Sequence, residues 1–423
     1  MKRICMMVIV LILLSGVSYA NSLNLDCNQN ILDSLNETNE KSWVLMIYLD
    51  GDNNLQSVMN NSIQIIENEG YCEDVTIFIQ FDSYDMFQGI KRYNITKDGK
   101  ENVETIAEKS MGNKTTLIEF VSWCKDRCNA DKYCLVLSDH GTGWMNGFLR
   151  DDTNDDKYMA MDELREGLIY IRENILHQRI DLLVLDACLM GMNEIYYQVR
   201  DTTKVCVASP ELHRGCPYSW IIDDLYNDPF CDEKKLGEYF VRGYKIEYSI
   251  ISISAYDIEK ISTNVTPKLD AFSDVLIENY NSIKDEIKES IDRASSYNGI
   301  NEDGSDYVLH YKDLYGFTFH LSRSVENTDI QNKAEDLLSS LRDAKVYPHA
   351  NLGISIYLPT FNRQYKYNSD YINLDLCKDT SWDDFVDNTK SLVKTKSMNL
   401  IKLDFKFLDG SNMFSLIKLL FPF

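Results

Sequence analysis

Short unbroken apolar runs recur along this chain, separated by stretches whose apolar residues return every three or four positions. Trp43–Leu49 (WVLMIYL), Val75–Phe81, Tyr133–Leu137 (YCLVL), Leu182–Leu185 (LLVL) and Lys204–Ala208 (KVCVA) are the runs. They are too short for helices and do not alternate, so they predict strands buried on both faces. Between them, Leu55, Val58, Met59, Ile63 and Ile66 make one helical face that Gly70 closes. Leu117, Phe120, Val121 and Cys124 make a second, beside Thr116-x-x-Glu119, which has the spacing of a capping box. Met161, Leu164, Leu168, Ile171 and Ile175 make a third, and a short helix is expected over Asn193 to Arg200. Strand, helix, strand is the crossover unit of a parallel sheet. The segment from Ser83 to Glu108 reads as a hairpin.

Farther on, the pattern predicts a strand at Ile250–Ala255, long helices from Leu269 to about Ala294 and over Ile330–Leu341, and strands at Gly316–Leu321 and Gly353–Leu358. Ile401, Leu403, Phe405 and Phe407 alternate with polar residues, as in a half-buried strand, and the apolar Met413–Phe423 is a packing segment too short to span a bilayer. The expected fold class is α/β: an α/β/α sandwich around a mostly parallel sheet, with a C-terminal α+β extension. The domain reading is a signal peptide over 1–20, a polar lead over 21–41, a catalytic domain over 42–260 and an α+β region over 261–423 packing on it.

The signal reading rests on Lys2 and Arg3, the apolar run Met6–Leu14, and Ser18-Tyr19-Ala20 with small residues where a signal peptidase reads. Export follows as the expected localisation, secreted or periplasmic, with no transmembrane segment after signal removal. A formal charge of -23 argues against nucleic acid and anionic membranes and favours cationic partners. Eleven cysteines suit an exported protein, and no CxxC pair or histidine cluster has the spacing of a metal site, so no metal ligand is assigned. Five Asn-x-Ser/Thr triplets, at Asn36, Asn60, Asn94, Asn113 and Asn264, matter only in a cell that glycosylates.

Two of the buried strands end in reactive groups. Tyr133–Leu137 runs into Ser138-Asp139-His140-Gly141, and Leu182–Leu185 into Asp186-Ala187-Cys188. If the strands are neighbours, an imidazole and a thiol share the carboxyl edge of the sheet, as nucleophilic catalysis requires. A lone cysteine on a strand is ordinarily core packing and a lone histidine a satisfied hydrogen-bonding residue; the pair is what points to chemistry. Gly141 adds a backbone N–H able to approach an oxyanion, with the N–H of Cys188 as the second donor.

His140-Gly141-Thr142-Gly143-Trp144 and Asp186-Ala187-Cys188-Leu189-Met190-Gly191, with Glu194 beyond, resemble the two signature blocks of the clostripain family of cysteine peptidases, relatives of caspases. Tyr48-Leu49-Asp50-Gly51-Asp52-Asn53-Asn54-Leu55 is similar to that family's amino-terminal block, and the likeness covers approximately Trp43 to Tyr218. The resemblance implies a caspase-like sandwich, a His140 and Cys188 dyad, and cleavage of protein or peptide substrates after Arg or Lys. It also implies that Asp186 lines the specificity pocket, a role that competes with a helix N-cap at the same place. The family's Gly- and Trp-containing loop is replaced here by Ser209–Tyr218. Within that loop, Glu211 offers a second acidic wall or is a solvated loop residue, Arg214 would neutralise such a wall, and Cys216 is placed to pair with another cysteine.

No cofactor is required by this chemistry. The resemblance admits calcium, since several members depend on it, yet Asp50–Asn53 and Asp151–Asp156 lack the spacing of a calcium loop. Arg150–Lys157 (RDDTNDDK) reads as an exposed loop between the histidine and cysteine strands, where related enzymes are cut; Lys157 is the preferred self-processing site and Arg150 the alternative. A monomer is expected. The competing readings are a secreted caspase-like binding protein without turnover, favoured by the altered loop, and a peptidase of this fold with another specificity.

Overall fold

The computed structural model describes residues 41–389 apart from 86, 155–156, 251, 301–305, 348–352 and 360–367. The signal and lead segments and the alternating stretch Ile401–Phe407, together with Met413–Phe423, lie outside the described residues. Eight strands form the central sheet in the order β10-β9-β8-β5-β1-β2-β3-β4. They are β1 (Lys41–Gly51), β2 (Val75–Ser83), β3 (Ile90–Thr96), β4 (Gly99–Ile106), β5 (Ala130–Ser138), β8 (Ile180–Asp186), β9 (Thr203–Ala208) and β10 (Ser254–Asp257). β1 and β2, β5 and β8, and β8 and β9 pair in parallel, whereas β3 and β10 join antiparallel.

The runs fail to alternate because both faces of the sheet are covered. Val44, Met46 and Tyr48 enter one apolar core and Trp43, Leu45, Ile47 and Leu49 the other; Leu183 and Leu185 divide from Leu182 and Val184 in the same way. Helices α1 (Gln56–Glu69), α5 (Tyr218–Asn227) and α6 (Glu233–Tyr248) cover one face. Helices α2 (Lys114–Arg127), α3 (Met161–Ile171), α4 (Asn193–Gln198) and α7 (Thr266–Arg293) cover the other. Burying each Leu, Ile or Val contributes about 1.5–3 kcal/mol, which makes the middle of this sheet the rigid part of the molecule. The expected sandwich with a mostly parallel sheet is what forms.

The later residues pack on the same core. Ser355 bridges Met192, and the buried Glu194 accepts hydrogen bonds from the Tyr357 N–H (2.8 Å) and the Tyr371 hydroxyl (2.9 Å). Trp144 meets the rings of Tyr357 and Tyr371 at 5.3 and 4.8 Å. Arg200 pairs with Asp375 at 2.7 Å.

Several expectations are corrected. Gly316–Leu321 is not a strand but part of helix α8 (Leu314–Ser324): Asp313 caps it by accepting from Tyr315 and Gly316 N–H, and Leu314, Phe317, Thr318 and Leu321 then bury one helical face. The α2 cap is Asn113, whose side chain accepts from Thr115 N–H, so Thr116 lies inside the helix and bonds the Ser110 carbonyl instead. The strand expected at Ile250–Ala255 is β10, Ser254–Asp257, because Ser249 in a left-handed conformation first turns the chain out of α6. Arg150–Lys157 is not simply an exposed loop. Arg150 and Asp151 belong to β6 (Phe148–Asp151), Lys157 opens β7 (Lys157–Met159), the two strands pair, and Asp151 is fully buried.

Candidate active site

Strand β5 pairs with β8 so that Ser138 stands opposite Asp186. Each of the two reactive residues therefore lies two positions beyond a matched strand end. The ladder extends by one more bond, Asp139 N–H to the Asp186 carbonyl at 3.3 Å. Beyond it the two loops touch at Gly141: a Cβ there would stand 2.3 Å from the Cys188 carbonyl oxygen and 2.9 Å from the Ala187 Cβ. Only glycine lets the histidine loop lie this close to the cysteine loop.

Gly141 also forms a bridge with Phe148 whose two hydrogen bonds come from Thr142 N–H (3.0 Å) and Leu149 N–H (3.2 Å). The Gly141 N–H takes no part in that pair. After Cys188 the chain turns through Leu189, a non-glycine residue with φ 66°. Such a conformation costs on the order of 1 kcal/mol, offset here by Leu189 N–H donating to the Glu211 carbonyl (3.2 Å) and Gly191 N–H to that of Ser209 (2.8 Å).

His140 is half-buried, and its Nε2 lies 2.6 Å from Asn54 Oδ1. An amide oxygen can only accept, so Nε2 carries the proton and Nδ1 is the basic nitrogen. Burial, with Arg150 adding repulsion, pushes the imidazole down to about 4. Cys188 is pushed up to about 11, chiefly by burial, with Asp186 and Asp139 adding to it and the His213 N–H opposing. In this state the pair is thiol and neutral imidazole.

Asp186 is buried and does not cap a helix, since α4 begins only at Asn193. It accepts from the Tyr244 hydroxyl (2.5 Å), the Cys216 N–H (3.2 Å) and the Ser138 hydroxyl. The His213 imidazole lies beside it, Nδ1 to Oδ1 at 3.8 Å, and packs edge-on to Tyr244. The same residue's backbone lies against the nucleophile, its carbonyl 3.7 Å and its N–H 3.5 Å from Cys188 Sγ.

Glu211 is exposed, and its link to this region is the carbonyl that holds Leu189. The Arg214 guanidinium lies over the Tyr248 ring at 5.6 Å. Cys216 is a buried free thiol rather than half of a disulfide, and the other described cysteines, Cys124 among them, are free as well, so their number carries no argument about compartment. Sequence reasoning missed Asn54, Ser138, His213 and Tyr244 as site residues. Asn54 and Ser138 sat inside quoted blocks; nothing local marks Tyr244, 58 residues from Asp186 in sequence. Among the described residues no helix is long and apolar enough to cross a membrane.

Comparison with known proteins gives one family and one fold. The model of the clostripain family of peptidases matches residues 47–389. Clostripain from Hathewaya histolytica is 29% identical over 218 residues, covering 44% of this chain and 41% of that protein. The chain thus aligns with less than half the length of that relative. Among solved structures, a secreted C11 cysteine protease from Bacteroides thetaiotaomicron bound to an irreversible peptide inhibitor superposes with TM-score 0.59 at 18% identity, over 81% of this chain and 99% of the other. An inactive zymogen C11 protease from Parabacteroides distasonis superposes with TM-score 0.61 at 19% identity, over 81% and 98%. At these identities the structures establish the fold, a caspase-like sandwich.

Proposed function

Since the chain belongs to the clostripain family, we propose that it is an exported cysteine endopeptidase that cleaves after Arg or Lys with Cys188 as nucleophile and His140 as general base and acid. One observation carries the reading: the loops after β5 and β8 touch at Gly141, the one residue type that lets them, and bring the His140 and Cys188 segments to one sheet edge.

In the reaction, His140 Nδ1 takes the Cys188 proton as Sγ bonds to the scissile carbonyl carbon, and the N–H groups of Gly141 and Cys188 receive the oxyanion. The imidazolium returns that proton to the leaving amine as the C–N bond breaks. Water, deprotonated by the same nitrogen, then releases the acyl group and restores the thiol. Asn54 keeps the imidazole in the tautomer this requires. Asp186 is the carboxylate that selects a cationic side chain, with Glu211 a second candidate at the loop above. Reception of that side chain at Asp186 requires His213 to swing away, so the conformation described is a resting one. One chain supplies both members of the dyad, so a monomer suffices. Maturation by a cut after Lys157, with Arg150 held inside β6, belongs to the same proposal, as does export directed by the Met1–Ala20 signal pattern.

The test is hydrolysis of reporter peptides ending in Arg, Lys, Asn or Asp by the reduced protein, with Cys188→Ala alongside. Turnover of Arg or Lys reporters that vanishes in the variant supports the proposal. Full activity in Cys188→Ala overturns the nucleophile, and a preference for Asn or Asp overturns the specificity. A binding protein of this fold would show neither turnover nor labelling of Cys188 by a thiol-directed peptide.

A further inference from the structure

A small second sheet, β11 (Ser296–Ile300), β12 (Asp306–Asp313) and β13 (Ser355–Tyr357), lies far in sequence from His140 and Cys188, yet two of its strands reach the loops of both. Strands β12 and β13 pair antiparallel, with Tyr311 opposite Tyr357 and Asp313 opposite Ser355. On the histidine side, the buried Tyr311 donates its hydroxyl proton to the Thr142 carbonyl at 2.7 Å. On the cysteine side, Ser355 N–H donates to the Gly191 carbonyl at 2.9 Å, and Tyr357 N–H to the Glu194 carboxylate at 2.8 Å. One strand pair therefore holds a backbone carbonyl from each reactive loop.

The two loops also meet against this strand pair. Gly143 has φ 72°, and a Cβ there would stand 2.8 Å from Met192 Sδ and 2.8 Å from the Tyr311 hydroxyl oxygen. The histidine loop is thus seated between Tyr311 on one side and a residue of the cysteine block on the other. Thr142 N–H and the Thr142 hydroxyl both donate to the Gly147 carbonyl within the same loop, so they set its turn. The Tyr311 hydroxyl ties that turn to the rest of the protein. Next along the chain, Trp144 packs on Tyr357 and Tyr371, and the Tyr371 hydroxyl returns to Glu194 at 2.9 Å. Tyr311, Trp144, Met192, Glu194, Tyr357 and Tyr371 are all buried, so water cannot replace these bonds when one is removed.

We propose that Tyr311 is a positioning residue for the dyad, and that β12 and β13 clamp the histidine loop to the cysteine loop. The inference rests on the peptidase reading above. Tyr311 acts through the Thr142 carbonyl rather than on the reacting atoms. Proton transfer from thiol to imidazole and attack on the scissile carbon both demand a fixed separation of the two side chains, and a displacement of about 1 Å costs on the order of 100-fold in rate. Paired strands hold such a separation more closely than loops do. Residues beyond 260 then belong to the framework of the active site.

The experiment compares the full chain with Tyr311→Phe, which removes only the hydroxyl, and with Tyr226→Phe, which removes the same kind of bond elsewhere, from the α5 hydroxyl to the Gly70 carbonyl at 2.9 Å. Hydrogen exchange of residues 140–149 and steady-state kinetics on Arg and Lys reporters are measured for each. Tyr311→Phe is expected to speed exchange at the Thr142 and Leu149 N–H groups and to lower kcat by roughly 10-fold with KM within about 2-fold of wild type. Tyr226→Phe is expected to do neither. Unchanged exchange across residues 140–149 overturns the clamp. Faster exchange with kcat intact overturns the positioning role, and so does an equal loss of kcat in Tyr226→Phe. A wild type without turnover overturns the peptidase reading and the positioning role together, while faster exchange in Tyr311→Phe would still establish the clamp. If Tyr311→Phe does not fold, Tyr371→Phe, which takes the hydroxyl donor from Glu194, decides by the same two measurements.

Discussion

The backbone of His213 rests on the Cys188 thiol, carbonyl to Sγ at 3.7 Å, while its imidazole stands 3.8 Å from the Asp186 carboxylate. A single residue thus covers both the nucleophile and the proposed pocket. The imidazole's hydrogen bond is made within the loop itself, Nδ1 to the Arg214 carbonyl at 2.6 Å, so removing it should loosen the loop by about one hydrogen bond, which corresponds to roughly a 2–10-fold rise in the open fraction. His213→Ala is therefore expected to react faster with a basic peptidyl inhibitor directed at Cys188, with no gain in the reaction of small neutral thiol reagents with the half-buried Cys72 and Cys128. A labelling rate equal to wild type would show that the imidazole does not hold the loop closed.

Asp186 is satisfied by neutral donors in the resting state, among them the Ser138 hydroxyl and the Tyr244 hydroxyl at 2.5 Å. A charge-assisted bond is worth about 1.5–3 kcal/mol, so Asp186→Asn should lower kcat/KM for Arg and Lys reporters by about 10–100-fold while leaving the fold intact. Tyr244→Phe leaves the carboxylate short of one donor and should cost about 1–3 kcal/mol of stability, read by urea unfolding. Unchanged basic preference in Asp186→Asn would remove that residue from the pocket.

What could be read from sequence was what the sheet dictates locally. Apolar runs that stop abruptly mark strand ends, and Ser138–Gly141 and Asp186–Cys188 stand out because polar and reactive side chains follow directly where each apolar run stops. The stretch Gly316–Leu321 misled because its apolar residues fit both a period of two and a helical face, and a capping aspartate outside the stretch decided between them. Tyr244 could not be found, since its contact with Asp186 depends on how α6 packs against the sheet, and His213, although inside the Ser209–Tyr218 loop, is placed only by how that loop folds over Cys188 and Asp186. The convergence of the Asp52, Asp82, Glu108 and Asp151 carboxylates, one oxygen of each within 4.8 Å of the others, stayed hidden for a similar reason: in sequence Asp82 is an ordinary strand-end residue and Glu108 lies at the end of a hairpin, and only the pairing of β1 with β2, Asp50 opposite Asp82, brings Asp82 near Asp52.

The protonation states give a second test of the resting site. With Cys188 at about 11 and His140 at about 4, neither is charged at neutral pH. Alkylation of Cys188 by iodoacetamide, corrected with Cys188→Ala, should keep climbing with pH through the alkaline range; a plateau established below pH 7 would mean a preformed thiolate and imidazolium. Stability follows with opposite signs. The histidine is lowered, so the unfolded chain binds the extra proton between about pH 4 and 6.5 and this contribution is lost as pH falls through that window. The cysteine is raised from its ordinary 9, so the folded state keeps its proton longer and stability is lost as pH rises from 9 toward about 11. Urea unfolding of wild type and Cys188→Ala across these ranges separates the two, because only the alkaline loss should shrink in the variant.

Self-processing after Lys157 makes a demand that the hairpin defines. Lys157 pairs with Asp151 across β6 and β7, so the bond to Tyr158 lies within a paired strand and must be peeled away before it can enter a cleft. Cleavage should accordingly be slow and should speed up under mild denaturant that leaves the sheet intact. Arg150 is a poorer site: its N–H is bonded to Asp139, its carbonyl to Asn53, and its guanidinium to Asp152 at 2.8 Å. After a cut the two pieces should stay together, because β5 and β8 are adjacent strands of one sheet and share both cores. Incubation under reducing conditions, followed by sequencing of new amino termini, should show a chain beginning at Tyr158 in the wild type and none in Cys188→Ala or Lys157→Ala. A wild type that remains one chain while turning over peptides would dispose of the processing step without touching the dyad, and a Cys188→Ala protein cut at the same rate would assign the cleavage to another protease.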